Sequence, residues 1–241
     1  MVMSRNDSED KTKRIISTGQ SEINKKLGGG IPVNSLVLVE GQSDAGKSVL
    51  CQQMTWGSLN SNFKVVMFST ENTVKSLVSQ MDSLGLEILP HLLMGNLKIF
   101  PIKASQIKAD SHEVFDRILD TIERLKDFEL CIIDSLTPAI TQSSGDKVLR
   151  YFEMCKEFCD EGKTIINVIH TYAFEQDFLI RTRSVCDAHI KLTIEKVGDK
   201  LVKSMEVAKI RGAAQTTGNV LAFDVEPQIG IKIMPISRAK A

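Results

Sequence analysis

Two kinds of segment alternate along most of the chain. Leu36-Val-Leu-Val, Lys64 to Ser69 (KVVMFS), Leu97 to Phe100, Leu130-Cys-Ile-Ile-Asp134 and Lys163 to Ile169 are short, nearly unbroken apolar runs, the pattern of strands buried on both faces. Between them apolar residues recur at helical spacing. Lys47 to Leu59 reads as one helix; Val74, Leu77, Val78, Met81 and Leu84, stopped by Gly85, as a second. Val114, Phe115, Ile118, Leu119, Ile122 and Leu125 make a third behind a capping-box-like Asp110 and Glu113, and Leu149, Phe152, Cys155 and Cys159 a fourth. Strands alternating with helices predict an α/β fold with a mainly parallel central sheet flanked by helices. The pattern then changes. Ile190, Leu192 and Ile194 alternate with Lys191, Thr193 and Glu195, Gly198-Asp199 offers a turn, and Leu201 to Ile210 forms a second strand, an antiparallel C-terminal hairpin extension of the sheet. At the other end, residues 1–14 are polar, charge-mixed and aperiodic, and are expected to stay mobile. Ile15 to Gly30 carries a short helix with Ile23 and Leu27, ended by Gly28-Gly29-Gly30-Ile31-Pro32.

Length and composition add bounds. The 241 residues suit a flexible tail (1–14) followed by a single domain (15–241), long enough to bury a core without disulfides or metals. Lysine plus arginine and aspartate plus glutamate balance at 30 each, so net charge asks for no specific nucleic acid. The five cysteines (Cys51, Cys131, Cys155, Cys159, Cys186) lie in apolar segments without metal-ligand spacing and read as reduced core thiols. No stretch approaches the roughly 18 apolar residues of a membrane span, so a soluble, cytoplasmic protein is expected, one that could dock beneath a membrane.

The candidate chemistry starts at Gly41-Gln42-Ser43-Asp44-Ala45-Gly46-Lys47-Ser48. This is the Walker A spacing without mismatch, following a strand and opening a helix. The glycines let consecutive N–H groups face phosphates at the positive helix end, Lys47 reaches the β and γ oxygens, and the Ser48 hydroxyl ligands Mg²⁺. The loop is therefore expected to bind a nucleoside triphosphate, with Asp44 turned to solvent or a neighbouring subunit. Asp134, ending an apolar strand, resembles a Walker B acid that holds the Mg²⁺ water shell. Glu71 and His170 end strands of the same sheet edge. His170 reads equally as a buried, hydrogen-bonded residue or as a γ-phosphate sensor. Lys209 and Arg211 fall on one side of a strand, suiting a phosphate grip or a solvated edge. Tyr172 to Arg183, with Phe174, Phe178, Arg181 and Arg183, is the one loop whose aromatic and basic residues could serve single-stranded DNA, though Glu175 and Asp177 oppose that.

With these residues laid out, the chain after residue 15 resembles the RecA-like P-loop ATPases of the KaiC branch. The shared features are LGGGIP before the P-loop strand, Walker A, the Thr70-Glu71 strand end, Asp134, His170 and Lys209-x-Arg211-Gly212. Within that branch, FSTENTVKSLVSQMDSLG, IHTYAF and FDVEPQIGIKIMPISRAKA are most similar to the accessory ATP-binding family of the archaellum, the archaeal swimming motor. The resemblance implies ATP and Mg²⁺ as cofactors, Glu71 as the water-activating residue, and Lys209 and Arg211 reaching into a neighbouring subunit's nucleotide. It also implies a nucleotide-dependent ring, expected to be a hexamer, partnered by the motor ATPase, a ring scaffold and a membrane platform at the cytoplasmic face of the cell membrane. Active KaiC-type sites carry two successive acids at the strand end; here Asn72 takes the second position, so hydrolysis is expected to be slow or absent. The alternatives are an active KaiC-like ATPase or autokinase and a recombinase-like DNA-binding ATPase.

Overall fold

The computed structural model describes residues 14–103, 111–173, 176–197, 200–215 and 220–234. The expected tail over residues 1–13, Asp110 of the proposed cap and the Gly198-Asp199 turn lie outside them. Elements in chain order are β1 (Ile15–Ile16), α1 (Ser21–Lys26), β2 (Ile31–Pro32), β3 (Leu36–Gly41), α2 (Lys47–Leu59), β4 (Val65–Ser69), α3 (Val74–Ser83), α4 (Leu89–Leu93) and β5 (Leu97–Pro101). There follow α5 (Ser111–Arg124), β6 (Leu130–Asp134), α6 (Thr137–Ile140), α7 (Gly145–Asp160), β7 (Thr164–His170), a 3-10 turn (Thr171–Ala173), α8 (Gln176–Val185), β8 (Ala188–Val197), β9 (Lys200–Ile210), β10 (Val220–Glu226) and β11 (Gly230–Met234).

Nine strands form one sheet in the order β11-β10-β9-β8-β3-β7-β6-β4-β5. The pairs from β8 through β3, β7, β6 and β4 to β5 are parallel, and β8-β9-β10-β11 are antiparallel. β3, β4 and β6 are buried at every position and β7 at all but His170, which is why they read as unbroken apolar runs. Their alternating side chains divide between two cores. Val37 and Val39 of β3 join Leu50 and Met54 of α2 and Met81 of α3 on one face. Leu36 and Leu38 join Ile118 and Ile122 of α5, Tyr151 and Phe152 of α7 and Leu179 of α8 on the other. All five cysteines are buried in these cores, as expected. Burial drives the thiols upward, Cys131 and Cys186 to about 12, so they are protonated apolar fillers.

Gly57 decides how α2 sits. A Cβ there would lie 2.3 Å from the amide nitrogen of Gly19 and 2.4 Å from the Ser17 carbonyl oxygen, so only glycine admits the N-terminal segment against this helix. Gly85 at φ +73° ends the turn after α3, as the stop signal required.

One expectation needs correction, and the C-terminal one holds but is incomplete. Of the segment 172–183, Phe174 and Glu175 lie outside the described residues, and residues 176–183 are not a loop but belong to α8, whose Leu179 is buried and whose Arg183 turns inward to Glu40. The aromatic and basic residues there that suggested a strand-binding loop thus belong in part to a packed helix. The C-terminal extension also holds a second hairpin, β10 and β11, joined through the turn at 227–229 and paired Phe223 with Ile233.

Candidate nucleotide-binding site

Six parallel strands direct their C-terminal ends to one edge, and the loops there carry the chemistry. β3 ends at Gly41, beside Leu192 of β8. A Cβ on Gly41 would meet the Leu192 carbonyl oxygen at 2.3 Å, so glycine is required for the strand to enter the loop at this spacing. The loop itself is held by Gln42, whose Oε1 accepts the Ile194 amide at 3.0 Å. Asp44 at φ +59° and Gly46 at φ +91° turn the backbone into α2. Asp44 is exposed, as expected. Ala45 is buried and fastens the loop to the core.

Lys47, the first residue of α2, is 5% exposed. Its ammonium donates to the Gln42 carbonyl at 2.5 Å and lies 3.4 Å from His170 Nδ1; neither partner carries a full negative charge. Burial holds its pKa below the ordinary lysine value, opposed by the charges of Asp134, Glu71 and Asp44. Asp134 is 7% exposed at the end of β6, and burial raises its carboxyl to about 6. A hydrogen bond from Ser48 and the charge of Lys47 pull the other way, while the charge of Glu71 adds to the rise. The β6 end is clasped to β4: the Thr70 amide donates to the Asp134 carbonyl at 3.0 Å, and Thr70 Oγ1 accepts the Ser135 amide at 3.1 Å.

Glu71 stands half-exposed with Oε1 3.8 Å from His170 Nε2. His170 is fixed by its own amide, which donates to Thr137 Oγ1 at 2.8 Å. Burial and then the nearby Lys47 charge depress its pKa, so the ring is neutral at pH 7 and able to share protons with Ser43 (3.5 Å) and Lys47. Asn72 does not stand beside Glu71 as a second acid would. Its Oδ1 accepts Ser76 Oγ at 3.0 Å and Gln80 Nε2 at 2.9 Å, turning it into the start of α3.

A cavity of about 640 Å³ is bounded by Ser43, Asp44, Gly46 to Val49, Glu71 and His170, and also by Tyr172, Lys203 and Val225. No local sequence signal assigns the last three to the nucleotide. Lys203 lies on β9 between Ile194 and Phe223, and only the register of the hairpins carries it and Val225 to the loop. Tyr172 is exposed, its ring 5.4 Å from that of His170.

Lys209 and Arg211 do not enter this cavity. Lys209 pairs with His189 and Ile210 with Ala188, next to Val37, so they sit at the opposite end of β3, roughly 13 Å along the strand from Gly41. Lys209 Nζ donates to the Arg183 carbonyl at 2.9 Å, and Arg211 reaches Asp187 and the Ser184 carbonyl while keeping its side chain 57% exposed.

Comparison with known proteins accords with this geometry. A family-wide sequence profile described as "ATPase: KaiC" matches residues 16–238. The archaeal flagellar ATP-binding protein FlaH of Sulfolobus acidocaldarius is 31% identical over 230 residues, covering 94% of this chain and all of that one. The crystal structure of the flagellar accessory protein FlaH from Methanocaldococcus jannaschii superposes with a TM-score of 0.81 at 26% identity, over 91% of this chain and 98% of the other. A KaiC-like protein from Pyrococcus horikoshii shares the fold at 17% identity, with a TM-score of 0.75 over 92% and 99% of the two chains. The chain therefore belongs to the KaiC family of RecA-type ATPases and, within it, to the FlaH group.

Proposed function

We propose that the protein is an ATP-binding component of the archaellum motor that works as a nucleotide switch. The observation that carries this is the convergence of a buried Lys47, Ser48 and Glu71 on one cavity at the mouth of a glycine-framed loop, with Asp134 hydrogen-bonded to Ser48 behind it. The residues present fit MgATP. Backbone amides of the loop and the start of α2 hold the polyphosphate, and the Lys47 ammonium replaces its Gln42 carbonyl contact with phosphate oxygens. Ser48 and Asp134 hold Mg²⁺, the latter through water; Mg²⁺ would neutralise charge on the β and γ oxygens. Neutral His170 is set to sense the γ end, and Lys203, Val225 and Tyr172 bound the rest of the cavity. Glu71 is the strand-end carboxylate that would orient water, and no second acid follows it, since Asn72 is engaged with α3, which supports slow turnover.

In this reading bound nucleotide favours a ring, expected to be a hexamer, in which Lys209 and Arg211 of one copy serve the nucleotide of the next. The exposure of Arg211 at the far end of β3 is compatible with that role. Such a ring would meet the motor ATPase, scaffold and membrane platform at the cytoplasmic membrane face, and needs differential affinity rather than turnover. Calorimetry of the wild type and Lys47→Ala, followed by light scattering with and without MgATP, tests it. Tight ATP binding and ATP-dependent assembly are expected for the wild type and neither for the variant. Equal ATP affinity in both would refute the nucleotide site, and assembly indifferent to ATP would refute the switch.

A further inference from the structure

Glu40, the residue before Gly41, is fully buried, and nothing in the nucleotide cavity uses it. Its side chain points to the opposite face of the sheet, where Arg183 of α8 grips both carboxylate oxygens, Nε at 3.1 Å and Nη2 closer still, and His189 Nε2 lies 3.4 Å away. The guanidinium and imidazole hold Glu40 ionised, with a pKa below the ordinary carboxylate value despite burial. The same Arg183 accepts Lys209 Nζ on its backbone carbonyl, and the next carbonyl, of Ser184, accepts Arg211. Three residues further on, Asp187 gathers the β3 start and the β9 end: its Oδ2 accepts the Leu36 amide and Lys156 Nζ, both at 2.9 Å, and its carbonyl accepts the Arg211 amide at 2.9 Å.

Arg183 thus bridges two levels of β3: its guanidinium holds Glu40, the residue before Gly41, and its backbone carbonyl holds Lys209, whose strand partner His189 lies beside Leu38. A fully buried carboxylate cannot be left without its partner, so a displacement of the β3 end must carry Arg183 and the end of α8 with it. From these contacts we infer that Arg183, bound to Glu40, is a positioning residue that couples nucleotide occupancy of the loop to the hairpin end bearing Lys209 and Arg211. The inference rests on the nucleotide-binding reading above but not on any role of those cations in a second copy. Its physical content is a shared two-state element, the β3 end and α8 moving together, that both ends of the strand can bias.

Hydrogen exchange of the Arg211 and Asp187 amides, with and without MgATP, reads the coupling at the far end. The wild type should slow by about tenfold or more on MgATP addition. Glu40→Leu combined with Arg183→Met replaces the ion pair by apolar groups of similar size and leaves the loop residues intact. This variant should bind MgATP in calorimetry while its exchange response falls below about twofold. Glu40→Met, which removes both acceptors and leaves the partly exposed Arg183 to solvent, carries the same expectation if the double variant does not fold. A variant that binds MgATP and keeps the wild-type response overturns the coupling. A wild type that binds MgATP with no response at these amides also overturns it, with the nucleotide site intact. A wild type that binds no MgATP sinks the nucleotide reading itself.

Discussion

Asp134→Asn should stabilise the nucleotide-free protein at neutral pH and do so in a pH-dependent way. The Asp134 carboxyl titrates at about 6 in the fold because it is buried, against about 3.9 in an unfolded chain. Each unit of difference is worth about 1.4 kcal/mol, so the ionised, metal-free carboxylate costs the fold about 3 kcal/mol at pH 7. The sign follows from the direction of the shift. With the folded value raised, the favourable contribution is complete below about pH 4, where the acid is protonated in both states. It is lost as pH rises through about 6. Asparagine keeps the shape and does not titrate. The difference in unfolding free energy between variant and wild type should therefore grow by about 3 kcal/mol from pH 4 to pH 7.5, a Tm gain of roughly 6–12 °C for a chain of this size. Urea unfolding of both proteins in chelator, at a series of pH values, measures it, and taking the difference cancels the titrating groups that do not interact with Asp134. A difference that stays flat, or shrinks as pH rises, would refute the account of Asp134 as a strained acid waiting for Mg²⁺. The same substitution should abolish Mg²⁺-dependent ATP binding, trading the site for stability.

Further expectations follow from individual contacts. Followed by NMR, His170 should titrate below the ordinary histidine value, and Lys47→Met should move its midpoint upward by removing one of the two causes of the depression; a midpoint unmoved by the substitution would contradict the pairing. Gly57→Ala drives a methyl group into the backbone at 17–19 and should cost about 2–4 kcal/mol in denaturant unfolding. Tyr151→Phe removes the hydroxyl that donates to Asn167 Oδ1 at 2.9 Å in a fully buried position, and should cost about 1–3 kcal/mol by the same measure. Phosphate release from the isolated subunit should run below about 1 s⁻¹, and a faster rate would show that Glu71 suffices without a second acid.

The strand, loop and helix around Lys47 were legible in the sequence because their determinants are local: an apolar run, glycines at the turning positions and a helical period afterwards all lie within one short stretch. Asp134, Glu71 and His170 could be placed on one edge for a similar reason, since each ends an apolar run and parallel strands deliver such ends to the same side. Where signals were weak or distant, the reading ran short. In α8 the deeply buried positions are Leu179 and the polar Thr182, so the apolar helical period is faint and the aromatic and basic residues suggest a loop. Pro227 and Gly230 break the period of FDVEPQIGIKIM, so the stretch carries no clear strand signal; the pairing of Phe223 with Ile233 makes it the hairpin β10–β11. Glu40, Arg183 and His189 lie in three separate elements, as do Tyr172, Lys203 and Val225. No spacing along the chain announces such meetings. Strand order and register alone bring these side chains within reach, and those are set by burying two apolar faces at once, a condition on the whole sheet rather than on any segment of it.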